Sequence, residues 1–406
     1  MRKIDIQDFQ RATRDTPRAV NRRIILNLLR EHGPLSRADL ARWMDVPRGM
    51  ITSLVNELLE EALVFEGATT AAPRGRRPTL LHLRSHDRLA LGVDVRSSRT
   101  VLQVSDFSGD ELARETFATP EDPAVFGRTV GEAVDDLLSK GRRAENLEGV
   151  GIVVPGMVDT RTGKVLNAPT LGWRDVQVAR VILGSRTVPV HVERDAVACA
   201  LAWIWHSDRR SENTGDFVYV VVSDGVGTGL VVNGQAVRGR HFTAGEFGHL
   251  PLDAEGPLCS CGSRGCLEAF TSDTATVARY LGLDREGREA AAAVRESGID
   301  VATVIQRSRE GQPEAGAALE TTARHLGAGL ALIINALDPA RIVVGGEIVG
   351  AWDLIEPLVR SVVEARTLTA AAGRTPVTVD DDYAGTRLRG AATLVVAPAF
   401  AAPRIA

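Results

Sequence analysis

Residues 245–268 read Gly245-Glu-Phe-Gly-His249-Leu-Pro-Leu-Asp-Ala-Glu-Gly-Pro-Leu-Cys259-Ser-Cys261-Gly-Ser-Arg-Gly-Cys266-Leu-Glu268. The chain has four cysteines, and three of them fall here. His249, Cys259, Cys261 and Cys266 form the pattern H-x9-C-x-C-x4-C, one imidazole and three thiolates. That donor set closes a tetrahedron around Zn²⁺ and leaves no position for a reactive water. It therefore predicts a structural zinc ion that shapes a loop. Gly262 and Gly265 permit the turns between the ligands. The plainer alternative is three buried structural cysteines beside a surface histidine; so tight a cluster favours the metal.

Working outward, four more stretches carry glycines or carboxylates in recognisable settings: Gly151-Ile-Val-Val-Pro-Gly156, Glu193-Arg-Asp195-Ala, Ser223-Asp-Gly-Val-Gly-Thr-Gly229 and Val343-Val-Gly-Gly346. With the cysteine stretch they resemble the ROK family, which groups bacterial repressors, open reading frames and sugar kinases. The resemblance spans roughly residues 88 to 400. It implies an actin-like, ribonuclease-H-like pair of lobes with a cleft between them. It also implies a sugar site at Asp195, Glu246, His249 and Glu268, and the dimer contacts typical of the family. Carboxylates accept hydrogen bonds from sugar hydroxyls, and one nitrogen of His249 would serve the zinc while the other faces the sugar. Glu268 lies just beyond Cys266, so the metal would fix where that carboxylate points.

Two departures from the family's kinases matter. Their first hairpin reads Asp-x-Gly-Gly-Thr, which lets backbone approach ATP phosphates. Here it is Asp94-Val95-Arg96-Ser97-Ser98, and two side chains occupy the glycine positions. The second loop keeps its glycines, although these serve a tight strand turn equally well. The family's Asn before the catalytic aspartate is here Arg194. A guanidinium has donors only, and facing the cleft it predicts an anionic effector; turned away, it would pair with a surface acid. Asp195 is the retained kinase-type aspartate, the group that would take a proton from a sugar hydroxyl.

Away from the family motifs, apolar strands such as 89–95, 100–106, 150–154, 188–192, 217–222 and 341–344 alternate with helical patterns, including 125–138, 196–205 and 321–337. That is the signature of an α/β domain. Of the 406 residues 44% are hydrophobic and 4% aromatic, so the core is built from aliphatic side chains. No apolar run is long enough to cross a membrane. The N-terminus lacks a signal-peptide core, and clustered thiols suit a reducing compartment, so a cytoplasmic protein is expected.

The net charge of −4 hides an asymmetry. Residues 1–85 hold 15 Arg and Lys against 10 Asp and Glu, a net +5, which leaves −9 for residues 86–406. A basic end on an acidic body suggests a polyanionic partner. Its patterning agrees. Ile24, Ile25, Leu28 and Leu29 place a helix over about 21–31. Ser36 and Asp39 stand at capping-box distance before a second helix. Asp45-Val-Pro47 turns into a third, buried along Ile51, Leu54, Val55, Leu58 and Leu59. Strands are expected at 62–65 and 79–83. These elements read as a winged helix-turn-helix. Arg48, Thr52 and Ser53 are the candidate major-groove contacts, and Arg74, Arg76 and Arg77 the basic wing tip.

The expectation is thus a ligand-responsive transcriptional regulator. Residues 1–85 would bind operator DNA, and residues 86–406 would sense a sugar or sugar derivative as a homo-oligomer, a dimer or tetramer. The rival from another class is an ATP-dependent sugar kinase with an accessory DNA-binding domain. A third is a DNA-binding protein without an effector.

Overall fold

The computed structural model describes residues 18–69, 79–139, 144–183, 188–206 and 215–400. At the N-terminal end helices Arg18–His32, Arg37–Met44 and Arg48–Glu60 pack on a three-stranded antiparallel sheet in the arrangement of a winged helix-turn-helix. Its sheet runs Leu35–Ser36, Thr79–Leu83, Val64–Thr69. Ile24, Leu28, Leu40, Met44, Ile51, Leu54, Leu58 and Leu81 fill the core. Ser36 accepts the Asp39 N–H at 3.2 Å while Asp39 accepts the Ser36 N–H at 3.0 Å, a reciprocal cap worth about 1 kcal/mol. The strand expected from residue 62 begins two residues later. Ala62 takes a left-handed turn with φ 53°, and Leu63 N–H closes on Leu58 O.

The body holds two five-stranded sheets built to one plan. In the first, Leu89–Val95, Arg99–Asp106 and Glu111–Ala118 form an antiparallel meander; Leu147–Val154 then adds parallel to the first strand, and Val190–Arg194 parallel to that. The second repeats this with Phe217–Val222, Val226–Val232, Gln235–Val237, Arg341–Gly345 and Val377–Val379. Each sheet therefore has the spatial order third, second, first, fourth, fifth. This duplicated order defines the two-lobed, ribonuclease-H-like architecture.

Two helices lie at the centre. Asp195–His206 follows the last strand of the first sheet and packs on the second. Tyr383–Phe400 comes from the end of the chain and packs on both the first sheet and that helix. Glycines allow the approach: a Cβ at Gly151 would lie 1.9 Å from Ala391 O, and one at Gly390 2.5 Å from Ala198 O. Ile24 and Leu28 of the winged unit share one buried apolar cluster with Trp205, Leu394 and Phe400 of these helices. Among the described residues, no helix is long and apolar enough to cross a membrane.

Candidate functional site

Strand ends of both lobes open onto a cavity of about 440 Å³, and Arg194, Asp195, Glu246, His249 and Glu268 all line it. Ligands bind beyond the carboxyl ends of strands in sheets of this kind. Asp195 begins its helix, with Oδ1 accepting the Ala196 N–H at 2.7 Å. Glu268 is fixed by three donors, Val226 N–H at 3.0 Å, Ser260 Oγ at 2.9 Å and Cys259 Sγ at 3.4 Å. A Cβ at Gly229 would sit 2.2 Å from Ala196 O, whereas one at Gly225 would meet only the far end of the Glu268 side chain, at 2.7 Å. Packing thus accounts for Gly229 without a nucleotide.

Arg194 is buried at the cavity wall, where its guanidinium is held by partners within the protein. It pairs with Glu246 and donates to Ala244 O at 2.8 Å. An anionic effector would need this guanidinium to be available, and Glu246 and Ala244 O hold it here. The pairing also spends one of the Glu246 oxygens.

His249, Cys259, Cys261 and Cys266 bring one ligand atom each to within 4.8 Å of one another and could hold a metal ion. His249 Nδ1 lies 3.7 Å from Cys259 Sγ, and Cys261 Sγ lies 3.7 Å from Cys266 Sγ. Thiolates around a tetrahedral zinc at about 2.3 Å stand about 3.8 Å apart, so the spacing fits. Burial and the neighbouring Glu268 push the Cys259 thiol up, and burial and Cys261 push Cys266 up to about 11. Three thiols in contact ionise together only with a cation among them. The other imidazole nitrogen, Nε2, points to the cavity side, 3.9 Å from Glu246.

The opposite wall is different. Arg96 folds back from the first hairpin, donating to Asp94 at 2.8 Å and to Glu347 of the second lobe at 3.2 Å. Ser97 bonds Asp224 across the same gap. Asp94 is fully buried. Asp273 is buried with one carboxyl oxygen lacking a partner. Its burial, with Glu347, Asp224 and Asp300 nearby, holds its carboxyl well above the usual range. Sequence reasoning missed Arg387. From the C-terminal helix it donates to Asp94 at 2.5 Å, to Asp195 at 2.9 Å and to Val95 O at 3.1 Å. No local motif marks it; an arginine on an apolar helix is the only signal.

On the winged unit, Arg48, Thr52 and Ser53 are exposed on the third helix. Thr52 Oγ1 donates to Arg48 O at 2.9 Å, and Ser53 accepts from Arg18 at 2.7 Å. Asn56, one turn beyond Thr52, is exposed as well, and the sequence reading had not included it. Arg74, Arg76 and Arg77 lie outside the described residues.

A unit of three helices and a small antiparallel sheet stands before a duplicated two-lobed domain whose cleft is framed by a three-thiol loop. Residues 90–397 match the profile of the ROK family, and the chain belongs to it. A putative xylose repressor of Caldicellulosiruptor sp. (strain Rt8B.4) is 29% identical over 354 residues, 86% of this chain and 88% of the relative. The crystal structure of a ROK family transcriptional regulator described as a homolog of E. coli MLC protein shares the fold at TM-score 0.77 and 23% identity, covering 94% of this chain and 96% of that one. A ROK family glucokinase from Streptomyces griseus, solved with glucose and AMPPNP, has TM-score 0.64 and 28% identity, covering 75% of this chain and 98% of its own.

Proposed function

We propose that the chain is a cytoplasmic, sugar-responsive transcriptional repressor of carbohydrate genes, working as a homo-oligomer. Residues 1–85 bind operator DNA through Arg48, Thr52 and Ser53, with Arg74, Arg76 and Arg77 on the wing. Residues 86–406 bind a sugar at Asp195, Glu246, His249 and Glu268, beside a structural zinc held by His249, Cys259, Cys261 and Cys266. The zinc supplies shape rather than chemistry: it sets His249 and Glu268 toward the cleft. One observation carries the reading. The cleft keeps its sugar-facing carboxylates, while the hairpin that would cradle phosphates is filled by the Arg96 side chain paired to Asp94 and Glu347. We therefore propose no kinase activity. With Arg194 spent on Glu246, the effector is a neutral sugar.

The test is DNA selected from a random library by the intact protein. Arg48→Ala should weaken binding by about 1–3 kcal/mol and relax the preference at one position. A chain lacking residues 1–85 should not bind; full affinity without them would sink the assignment. The likeness to a glucokinase over three quarters of the chain, together with Asp195 in the cleft, favours a second reading as an ATP-dependent sugar kinase. A coupled assay across common hexoses and amino sugars decides between them.

A further inference from the structure

Two helices join the cleft to the winged unit, and each has one foot in either place. Asp195–His206 starts at the cleft aspartate and ends at Trp205, over which Arg30 of the first helix stacks at 4.6 Å. Tyr383–Phe400 carries Arg387 into the cleft near its start. At its end the Phe400 carbonyl accepts from Asn27 Nδ2 at 2.8 Å, and the Phe400 ring lies 5.5 Å below Arg30. The span from Arg387 to Phe400 is about 20 Å of helix. His206 Nε2, at the end of the first helix, lies 3.1 Å from Thr393 Oγ1, part-way along the second. Asn27 is fully buried, so no solvent layer separates it from the body.

The two ends differ in how well they are satisfied. In the cleft, Arg387 is held on three sides, by Asp94, Asp195 and Val95 O, and a fourth partner is Tyr383 Oη at 2.9 Å. At the junction, Asn27 Oδ1 and Trp205 Nε1 are buried with no hydrogen-bond partner. A buried acceptor and a buried donor left open on packed elements carry a cost.

Resting on the repressor reading above, we propose that Arg387 is the positioning residue that reports cleft occupancy to the DNA-reading unit. A sugar hydroxyl competes with the guanidinium for Asp195 Oδ2. Asp94 retains Arg387, the balance of its two carboxylates changes, and the helix Tyr383–Phe400 shifts as a rod against Asn27 and Arg30. Coupling of this kind needs a packed element with two arrangements that both sites bias, and this helix touches both. The route lies within one chain and requires no change at an oligomer interface.

The intact chain tests it in two arms. The first needs neither operator nor effector: amide hydrogen exchange in the wild type, Arg387→Lys and Asp195→Asn. Lys keeps the charge but not the planar fork that spans Asp94, Asp195 and Val95 O at once, and Asn keeps the shape of Asp195 without its charge. Exchange in the helix Arg18–His32 around Asn27 should change about 10-fold in both variants, while the distant helix Pro313–Leu337 stays as it was. No change at Asn27, or an equal change in both helices, overturns the relay. The second arm uses library-selected DNA with and without saturating D-xylose, D-glucose or N-acetylglucosamine. Where a sugar weakens wild-type DNA binding within the usual coupling of about 5–150-fold, Arg387→Lys and Asn27→Ala should cut the ratio to about 2-fold or less. Asn27→Ala should also leave sugar affinity by calorimetry unchanged. Wild-type coupling in Asn27→Ala overturns the relay. If the wild type selects no DNA, the repressor reading has failed, and the first arm alone decides the relay.

Discussion

The two walls of the cleft have gone different ways. On one, Glu268 is held by Val226 N–H and Ser260 Oγ and stands beside four metal-type ligands. On the other, Arg96, Ser97 and Arg387 bind Asp94, Asp224, Glu347 and Asp195, so the wall's charges are spent within the protein. The first wall gathers the metal-type ligands beside Glu246 and Glu268; the second is closed by contacts that join the two lobes. Close packing against Ala196 O accounts for Gly229 of the second loop.

The largest expected effect comes from dismantling the first wall. The protein purified without added metal should carry about one zinc per chain, and Cys259→Ser or Cys261→Ser should lose it, by elemental analysis. Freeing the loop would withdraw His249 and Glu268 together. Two charge-assisted hydrogen bonds at about 1.5–3 kcal/mol each amount to a loss of roughly 100-fold or more in sugar affinity. Unchanged zinc content, or unchanged sugar affinity after zinc loss, would break the contrast between the walls.

Next is the second wall. The wild type should show no turnover near the usual kinase range of about 1–100 s⁻¹. Arg96→Gly with Ser97→Gly removes both interlobe contacts and restores the glycine pair, yet it should remain inactive in a coupled assay. Asp224, Asp300 and Glu347 still line the cavity, and Arg387 still holds Asp195. Turnover in the wild type would replace the repressor reading with the kinase one.

How much of this was legible depended on sequence distance. The four metal-type ligands lie within 249–266, so spacing alone revealed them. The capping box at Ser36 and Asp39 is local in the same way, and so is the strand 79–83. The pairing of Arg194 with Glu246 spans 52 positions, and that of Arg387 with Asp94 spans 293. Neither pairing has a local pattern to betray it, because only the fold brings the partners together. The same holds for the duplicated strand order and for the two-residue strand Leu35–Ser36, which is too short for periodicity to mark.

A smaller effect should come from Asp273. Burial, with Glu347, Asp224 and Asp300 nearby, holds its carboxyl well above the usual range, so the folded protein keeps this proton to higher pH than the unfolded chain does. Folding then takes up a proton, and stability falls as pH rises above the unfolded value of about 3.9 until the raised folded value is passed. Asp273→Asn removes that penalty. Denaturant melts at pH 5 and pH 8 should show the variant gaining on the wild type as pH rises. An unchanged difference would mean that this wall tolerates an ionised carboxylate, and so a more polar interior than the burial implies.

The smallest effect tests the charge of the first wall. Arg194 and Glu246 form a pair inside the pocket, with the guanidinium side chain 7% and the carboxylate 28% exposed. A ligand phosphate could take the arginine only by displacing Glu246, which would leave that carboxylate without its cation beside the new anion. Stripping one partner from a buried pair is costly, on the order of 3–5 kcal/mol, and this pair is only partly buried, so the cost here is smaller. A neutral sugar avoids it entirely by bonding the carboxylate oxygen that Arg194 does not use. Calorimetry with matched pairs, a sugar and its 6-phosphate, should find the neutral member equal or tighter by a few-fold. Glu246→Gln would release the guanidinium and should move the preference toward the phosphate. Tighter binding of the phosphate by the wild type would show that Arg194 leaves Glu246 for the ligand, and the contrast between the two walls would then fail at this residue.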